Sequence, residues 1–424
     1  MRTDHLSALG RRTETPPISW LMATALARPE LISLAAGFTD HESLPVAEAR
    51  ELLGDLLGAR SSGRAALQYG TTAGDITLRS LSAGRLRALD ASADEAVYSP
   101  DRMLLTNGSQ QMLYTVSEAL CDPGDIVLVE DPTYFVFLGI VQSHGVLARG
   151  VRMQQDGLDL AHLQAVLEQL KRARSISRLK LLYVVSYHQN PTSTTTSFEK
   201  KAAALHVLKH YEKAAGHPIY LLEDAAYREL RFSGADIRSA LAVLGSANRV
   251  IYVGTYSKPF ATGVRVGFGL LPEPVLSTSL RIKANHDFGS SNLLQHLLAK
   301  ALETGAYDRH LRELRKRYAH KARVMLGGMR EYFPPSAQYQ VPTGGLYFWV
   351  RLPPRGASGY ASRLFRTAMD LKVLYVPGEL CYARDATRPR PNHEMRLSFG
   401  AETEGKLREG IRRLGQALAA MKTR

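Results

Sequence analysis

After Arg249 the chain reads Val-Ile-Tyr-Val253, β-branched and aromatic without polar alternation. It then breaks into Gly254-Thr-Tyr-Ser-Lys-Pro-Phe-Ala-Thr-Gly-Val-Arg-Val-Gly267. An apolar run of this kind, bounded by glycine, fits a strand buried on both faces, the condition of a parallel sheet covered by helices. The same unit recurs along the chain. Strand-like 103–106 and a glycine turn lead into helical 108–120, and strand-like 125–130 ends in a proline loop. Helical 159–173 precedes strand-like 180–186, and helical 198–214 precedes strand-like 218–224. This alternation predicts an α/β fold, a mostly parallel sheet between helices. Such sheets bind ligands in the loops beyond the carboxyl ends of their strands.

Beyond about residue 300 the pattern changes to a long amphipathic helix at 306–332, strand-like 338–341 and 346–352, a helix at 360–371, strands at 374–377 and 395–399, and a closing helix at 403–421. This reads as a smaller α+β domain. With 424 residues there is room for two cores. The expected division is an N-terminal arm with part of the small domain at 1–50, a large domain at 51–300 and a small C-terminal domain at 301–424.

Cys121 and Cys381 make neither a disulfide framework nor a metal pattern, which predicts a reducing, cytoplasmic setting and no metal site. No apolar run approaches the roughly eighteen residues of a membrane span, and the N-terminus has no signal-peptide core, so no membrane association is expected. The net charge of +14 raises the question of nucleic acid. Of the basic runs at 171–174, 312–317 and 384–390, the second interleaves with leucines at helical spacing and reads as the wet face of a helix. There is no zinc-finger spacing or aromatic RNA-binding signature, so the charge is assigned to solubility and small anions rather than to nucleic acid.

Thr255, Ser257 and Arg265 can converge on a phosphate, two hydroxyl donors and a planar fork, with Lys258 among them as an amine whose pKa burial and cations would lower. The same residues also fit a solvated loop lysine and a surface ion-pair donor. The turn at Gly108, Ser109 and Gln110 offers N–H groups to an anion at a helix N-terminus.

Ser257-Lys258 followed by Gly263-Val-Arg265-Val-Gly267 resembles the Schiff-base signature S-x-S-K…P-G-x-R-x-G of class I/II aminotransferases, fold-type I enzymes of pyridoxal 5′-phosphate (PLP). Thr255 and Thr262 stand where that signature has its first serine and its proline. Other segments follow in the family's order between about residues 31 and 400. Leu31-Ile-Ser-Leu-Ala-Ala-Gly37 with Pro45 is similar to I-S-F-A-G-G-x-P-D…P of the 2-aminoadipate and kynurenine transaminase subgroup. The match implies that Gly37 brings an N–H to the substrate carboxylate; a tight-turn glycine is the alternative. Leu67-Gln-Tyr69-Gly resembles L-Q-Y-G, which implies that Tyr69 reaches a partner subunit's cofactor phosphate, although spacing alone favours a core tyrosine. Thr106-Asn-Gly108-Ser-Gln-Gln is like T-x-G-S-Q-Q, Glu130-Asp-Pro-Thr-Tyr134 like E-D-P-x-Y, and Asn190-Pro-Thr192 like Q-N-P-T-G. These imply ring stacking by Tyr134 and a cofactor-oxygen contact by Asn190, which also helps hold the substrate. Asp224-Ala-Ala-Tyr227 is similar to D-x-x-Y, implying that Asp224 meets the pyridine nitrogen and Tyr227 the phenolate oxygen; taken alone, Asp224 also fits a helix cap. Met395-Arg396-Leu-Ser-Phe resembles R-L-S/C-F, whose arginine grips the α-carboxylate; on its own Arg396 is an ordinary strand arginine.

The resemblance implies a fold-type I PLP transferase with a seven-stranded large-domain sheet. It implies a homodimer that shares its active sites and moves an amino group from an L-amino acid to a 2-oxo acid, 2-oxoglutarate above all, by ping-pong turnover. Lys258, Asp224 and Tyr227 form the implied catalytic set. A β-lyase, decarboxylase, racemase or oxidase would use the same anchor. A MocR-like regulator would need a DNA-binding domain that the residues before Leu31 are too few to supply. Phe38, His188 and Ser193 depart from the family pattern, and His188 is left outside the catalytic set as a structural histidine.

Overall fold

The computed structural model describes residues 5–35, 37–354 and 356–421. Seven strands carry the larger sheet: β1 Met103–Thr106, β2 Ile126–Asp131, β3 Leu147–Gln154, β4 Leu179–Val185, β5 Tyr220–Asp224, β6 Val250–Thr255 and β7 Gly267–Leu270. They lie in the order β1-β7-β6-β5-β4-β2-β3, and a two-residue eighth strand, Gly157–Leu158, pairs antiparallel with β3. From β6 to β3 every pairing is parallel, whereas β7 runs against both of its neighbours. The sheet is therefore mixed. All residues of β5 and β6 are buried, as their unalternating sequence demands.

Register is what prepares the site. Asp224 pairs with Val185 on one side and Val253 on the other. The loops that follow β4, β5 and β6 consequently leave the sheet side by side. Helices cross over between the strands, and two of them begin at side-chain caps: Asp159 accepts from the N–H of His162 and Ser197 from that of Lys200.

A second sheet holds Gln338–Tyr339, Tyr347–Arg351, Glu394–Ser398 and Val376–Pro377 in that order, all antiparallel. Ile32–Ser33 pairs in parallel with Val373–Leu374, and the Ser398 N–H donates to the Leu34 carbonyl at 2.7 Å. These bonds tie the N-terminal segment to the second sheet and bring Ala35 against Arg396 and Gly37 against Tyr347. The helix Ala306–Tyr332 buries Leu311, Leu314, Tyr318, Met325 and Met329 while Arg312 and Lys316 are exposed, so the basic run is a solvated helix face. Among the described residues no helix is long and apolar enough to cross a membrane.

Candidate active site

The adjacent loops after β4, β5 and β6, together with the start of the helix Gly108–Leu120, enclose a cavity of about 110 Å³. Ser109, Gln110, Tyr134, Asn190, Asp224, Tyr227, Thr255, Ser257, Lys258 and Arg265 line it. Sequence spacing spreads these residues over more than a hundred and fifty positions; the sheet collects them at one edge.

Lys258 Nζ donates to the Gly37 carbonyl at 2.7 Å. Burial of the ammonium, and then the charges of Arg396 and Arg265, bring its pKa down to about 8. The residue keeps partial solvent contact through the cavity. Asp224 is only 3% exposed, with the Tyr183 hydroxyl donating to Oδ2 at 2.9 Å and the Ala226 N–H to Oδ1 at 3.0 Å. Burial outweighs these two bonds and raises its pKa to about 6. Among the described residues no cation pairs with it. A buried carboxylate of this kind is completed by a proton-bearing ligand group.

Arg396 is 1% exposed and likewise has no acidic partner among the described residues. Its Nη1 donates to Asn190 Oδ1 at 2.8 Å and its Nη2 to the Ala35 carbonyl at 2.6 Å, while Nε is buried without a partner. An unpaired buried guanidinium is costly unless an anion arrives. At the opposite end, the helix Gly108–Leu120 has no side-chain cap and no acid in its first turn, so its N–H groups await an acceptor. Gly108 has φ +73, and a Cβ there would meet Arg265 Nη2 at 2.5 Å. Arg265 Nη1 also reaches Ser257 Oγ at 3.4 Å. One end of the cavity thus suits a phosphate and its floor a protonated ring nitrogen, while Arg396, bonded to the lining Asn190, suits a carboxylate beside it. The donor set fits PLP and an amino acid.

Several expectations change at the level of single side chains. Tyr69 is not a core residue: it is 83% exposed, edge-on to Phe288 with ring centroids 5.7 Å apart. Thr255 lines the cavity, and its hydroxyl also donates to the Val266 carbonyl at 3.2 Å and accepts the Ser257 N–H at 3.1 Å, which braces the turn. Asp224 ends a strand and caps no α-helix. His188 lies outside the cavity, buried, with φ +44, and a Cβ on Gly344 would meet its ring at 2.4 Å. Burial and then Arg231 and Arg315 lower its pKa to about 4, which keeps it neutral. Ser193, standing in place of a glycine, adopts φ +62, and its hydroxyl donates to the Tyr347 carbonyl at 2.5 Å. That bond offsets part of the left-handed strain.

Sequence reasoning passed over Tyr183, Tyr347 and Glu130. The Tyr347 hydroxyl lies 3.0 Å from that of Tyr227, and its ring sits 4.3 Å under the Arg396 guanidinium. Glu130 accepts from the Val185 N–H and from Gln189 Nε2, steadying the loop that carries Asn190, and burial pushes its pKa up to about 8. All three lie on strands, where an aromatic or an acid within an apolar run carries no sign of the partner it will meet.

The profile of the family described as aminotransferase class I and II matches residues 29–414. The chain is 32% identical to a 2-aminoadipate transaminase of Thermus thermophilus over 93% of its own length and 91% of that relative. Among solved structures it resembles the kynurenine aminotransferase of Pyrococcus horikoshii in complex with PMP, with a TM-score of 0.88 and 28% identity over 99% and 98% of the two chains. It also resembles the α-aminoadipate aminotransferase LysN of Thermus thermophilus, complexed with N-(5′-phosphopyridoxyl)-L-leucine, with a TM-score of 0.83 and 29% identity over 98% and 97%.

Proposed function

The chain belongs to the class I and II aminotransferases, PLP enzymes that pass an amino group from an amino acid to a 2-oxo acid, and from that premise we propose how its residues divide the work. The observation that carries the reading is a cavity in which an acid with no cationic partner among the described residues meets a lysine of lowered pKa, with the buried Arg396 held just behind its wall by Asn190.

The N–H groups of Gly108, Ser109 and Gln110, the Ser257 hydroxyl and Arg265 hold the phosphate; Thr255 supports this turn. Tyr134 covers one ring face. Asp224 keeps a proton on the ring nitrogen, with Tyr183 and the Ala226 N–H holding the carboxylate in place. Asn190 and Tyr227 hydrogen-bond the phenolic oxygen. Bound PLP supplies an electron sink for the charge left at the substrate α-carbon when its proton departs. Lys258 Nζ, neutral in a useful fraction near pH 8, would take the proton from the substrate α-carbon and hold it for return. Arg396, with the Gly37 N–H, grips the α-carboxylate and so fixes which bond faces the lysine.

Both half-reactions use this machinery, which gives ping-pong turnover, with 2-oxoglutarate as the proposed acceptor. Amino donors with aromatic, long aliphatic or 2-aminoadipate side chains are favoured by the likeness to the 2-aminoadipate transaminase, the kynurenine aminotransferase and LysN with its leucine adduct. The working unit is a homodimer. Leu67, Tyr69 and Phe288, respectively 69%, 83% and 59% exposed, form an apolar patch on one face, from which Tyr69 reaches the partner's phosphate site. The two free thiols fit a cytoplasmic location. The division near residues 50 and 300 belongs to the same proposal.

The test is an absorbance spectrum of the purified protein, titrated with a panel of amino acids. A visible-edge band that is absent in Lys258→Ala, and that converts to the pyridoxamine spectrum with some amino acids, supports the assignment. A band that no amino acid converts points to another PLP reaction, and the absence of bound cofactor defeats the reading.

A further inference from the structure

Asn190 and Tyr227, which line the cavity, close into a ring with Arg396 and Tyr347 behind them. Arg396 Nη1 donates to Asn190 Oδ1 at 2.8 Å, Asn190 Nδ2 donates to Tyr227 Oη at 3.5 Å, Tyr227 Oη meets Tyr347 Oη at 3.0 Å, and the Tyr347 ring lies 4.3 Å from the Arg396 guanidinium carbon. A guanidinium only donates, so the Asn190 atom facing Arg396 is its oxygen. Its amide nitrogen is therefore the atom that faces Tyr227. Tyr347 is held on three sides: its backbone pairs with Ser398, its carbonyl accepts from Ser193, and its hydroxyl sits 2.8 Å from where a Cβ on Gly37 would stand.

Counting donors gives the Tyr227–Tyr347 bond a direction. A phenol has one proton and two lone pairs. Burial, followed by the neighbouring Tyr347 and Tyr134, holds Tyr227 well above the ordinary phenol pKa, so it is neutral. If Tyr227 donated to Tyr347, its single proton would be used and nothing would be left for the cavity. If Tyr347 donates, Tyr227 accepts from both Tyr347 and Asn190 and keeps its proton for a ligand.

We propose that Tyr347 is a positioning residue for the amino-group transfer: its hydroxyl donates to Tyr227 and thereby commits the Tyr227 proton to the phenolic oxygen of PLP. The inference rests on the reading above, in which Tyr227 faces that oxygen. Donation from Tyr347 also polarises the Tyr227 hydroxyl and strengthens the bond that it makes. A better donor favours the anionic form of the phenolic oxygen and lowers the pH at which the visible band of the bound cofactor passes from its acid to its alkaline form. The other charged and titratable groups around this pair are Lys258, Asp224, Arg265, Tyr134, Arg396 and, on the long helix, Tyr318. Removing one phenol oxygen leaves all of them in place.

The experiment compares the holoenzyme with Tyr347→Phe, Tyr227→Phe and the double variant, reading the pH midpoint of the visible band and the thermal midpoint of each. Tyr347→Phe keeps the ring under Arg396. It should raise the band midpoint by about 0.5 pH unit, and Tyr227→Phe by about 1 unit. Because Tyr347 acts through Tyr227, the double variant should match Tyr227→Phe alone to within about 0.2 unit. An unchanged midpoint in Tyr347→Phe overturns the proposal, whether or not its thermal midpoint falls. Shifts that add in the double variant overturn it too, since Tyr347 would then act independently of Tyr227. If the unsubstituted protein shows no visible band at all, the cofactor reading has failed and this inference with it, an outcome separate from the other two.

Discussion

Asp224 offers a measurement in which stability and function move in opposite directions. Its pKa stands at about 6 against an ordinary 3.8, chiefly through burial. At about 1.4 kcal/mol per pH unit this amounts to about 3 kcal/mol against the charged form in the cofactor-free protein. The folded pKa lies above the unfolded one, so folding favours the protonated acid. Below about pH 3.8 the carboxyl is neutral in both states and costs nothing; the cost develops between about 3.8 and 6 and is complete above. Asp224→Asn removes it. The amide has one acceptor oxygen for the two donors, Tyr183 and the Ala226 N–H, so part of the gain is returned. Cofactor-free Asp224→Asn should therefore be about 1 to 3 kcal/mol more stable than the unsubstituted protein at pH 8, with the advantage shrinking to near zero at pH 4, by urea denaturation. With PLP present the order reverses, because the carboxylate gains the ring-nitrogen proton and the amide does not. PLP affinity should fall by about a hundredfold. An advantage that is the same at pH 4 and pH 8, or unchanged PLP affinity, refutes the reasoning.

Three further outcomes are expected. With the Lys258 pKa at about 8, covalent capture of PLP by the cofactor-free protein should rise with pH and level off about a unit above 8, as only the neutral amine attacks; a stopped-flow rate still climbing beyond pH 10 contradicts this. Arg396→Lys keeps the charge and loses the fork, so KM for the amino donor should rise by about 30- to 100-fold with the visible band intact, and steady-state kinetics showing a change of only about twofold would remove Arg396 from the carboxylate site. Phe288→Asp places a charge beside Tyr69 on the exposed apolar patch and should convert a sedimenting dimer to monomer while loosening PLP; an unchanged dimer places the interface elsewhere.

Much of the molecule could be read before any coordinates. The unalternating strand at 250–253 and its repeats specify a helix-covered sheet, because a strand buried on two faces has no solvent side to pattern. Lys258, Asn190 and Arg265 stood out since each lies in a loop after a strand, and Asp224 since it ends one, where open sheets expose their loops. The helix Ala306–Tyr332 was legible at both ends because its apolar spacing never lapses. What escaped was whatever depends on a neighbour across the sheet. Spacing alone put Tyr69 in the core, whereas it stands in solvent on the chain described here, since its exposure is set by packing of distant segments. Nothing in the sequence marked Tyr183, whose hydroxyl the register brings to Asp224.

The sequence by itself determined which chemical groups are available and which loops carry them, because strand, turn and helix preferences are local. The tertiary structure alone decided that Asp224 and Arg396 have no counter-ion among the described residues, that the Thr255 hydroxyl meets the Val266 carbonyl, and that Tyr347 stands between Tyr227 and Arg396. Desolvation and hydrogen-bond direction belong to pairs of groups in space, and only the folded chain specifies the pairs.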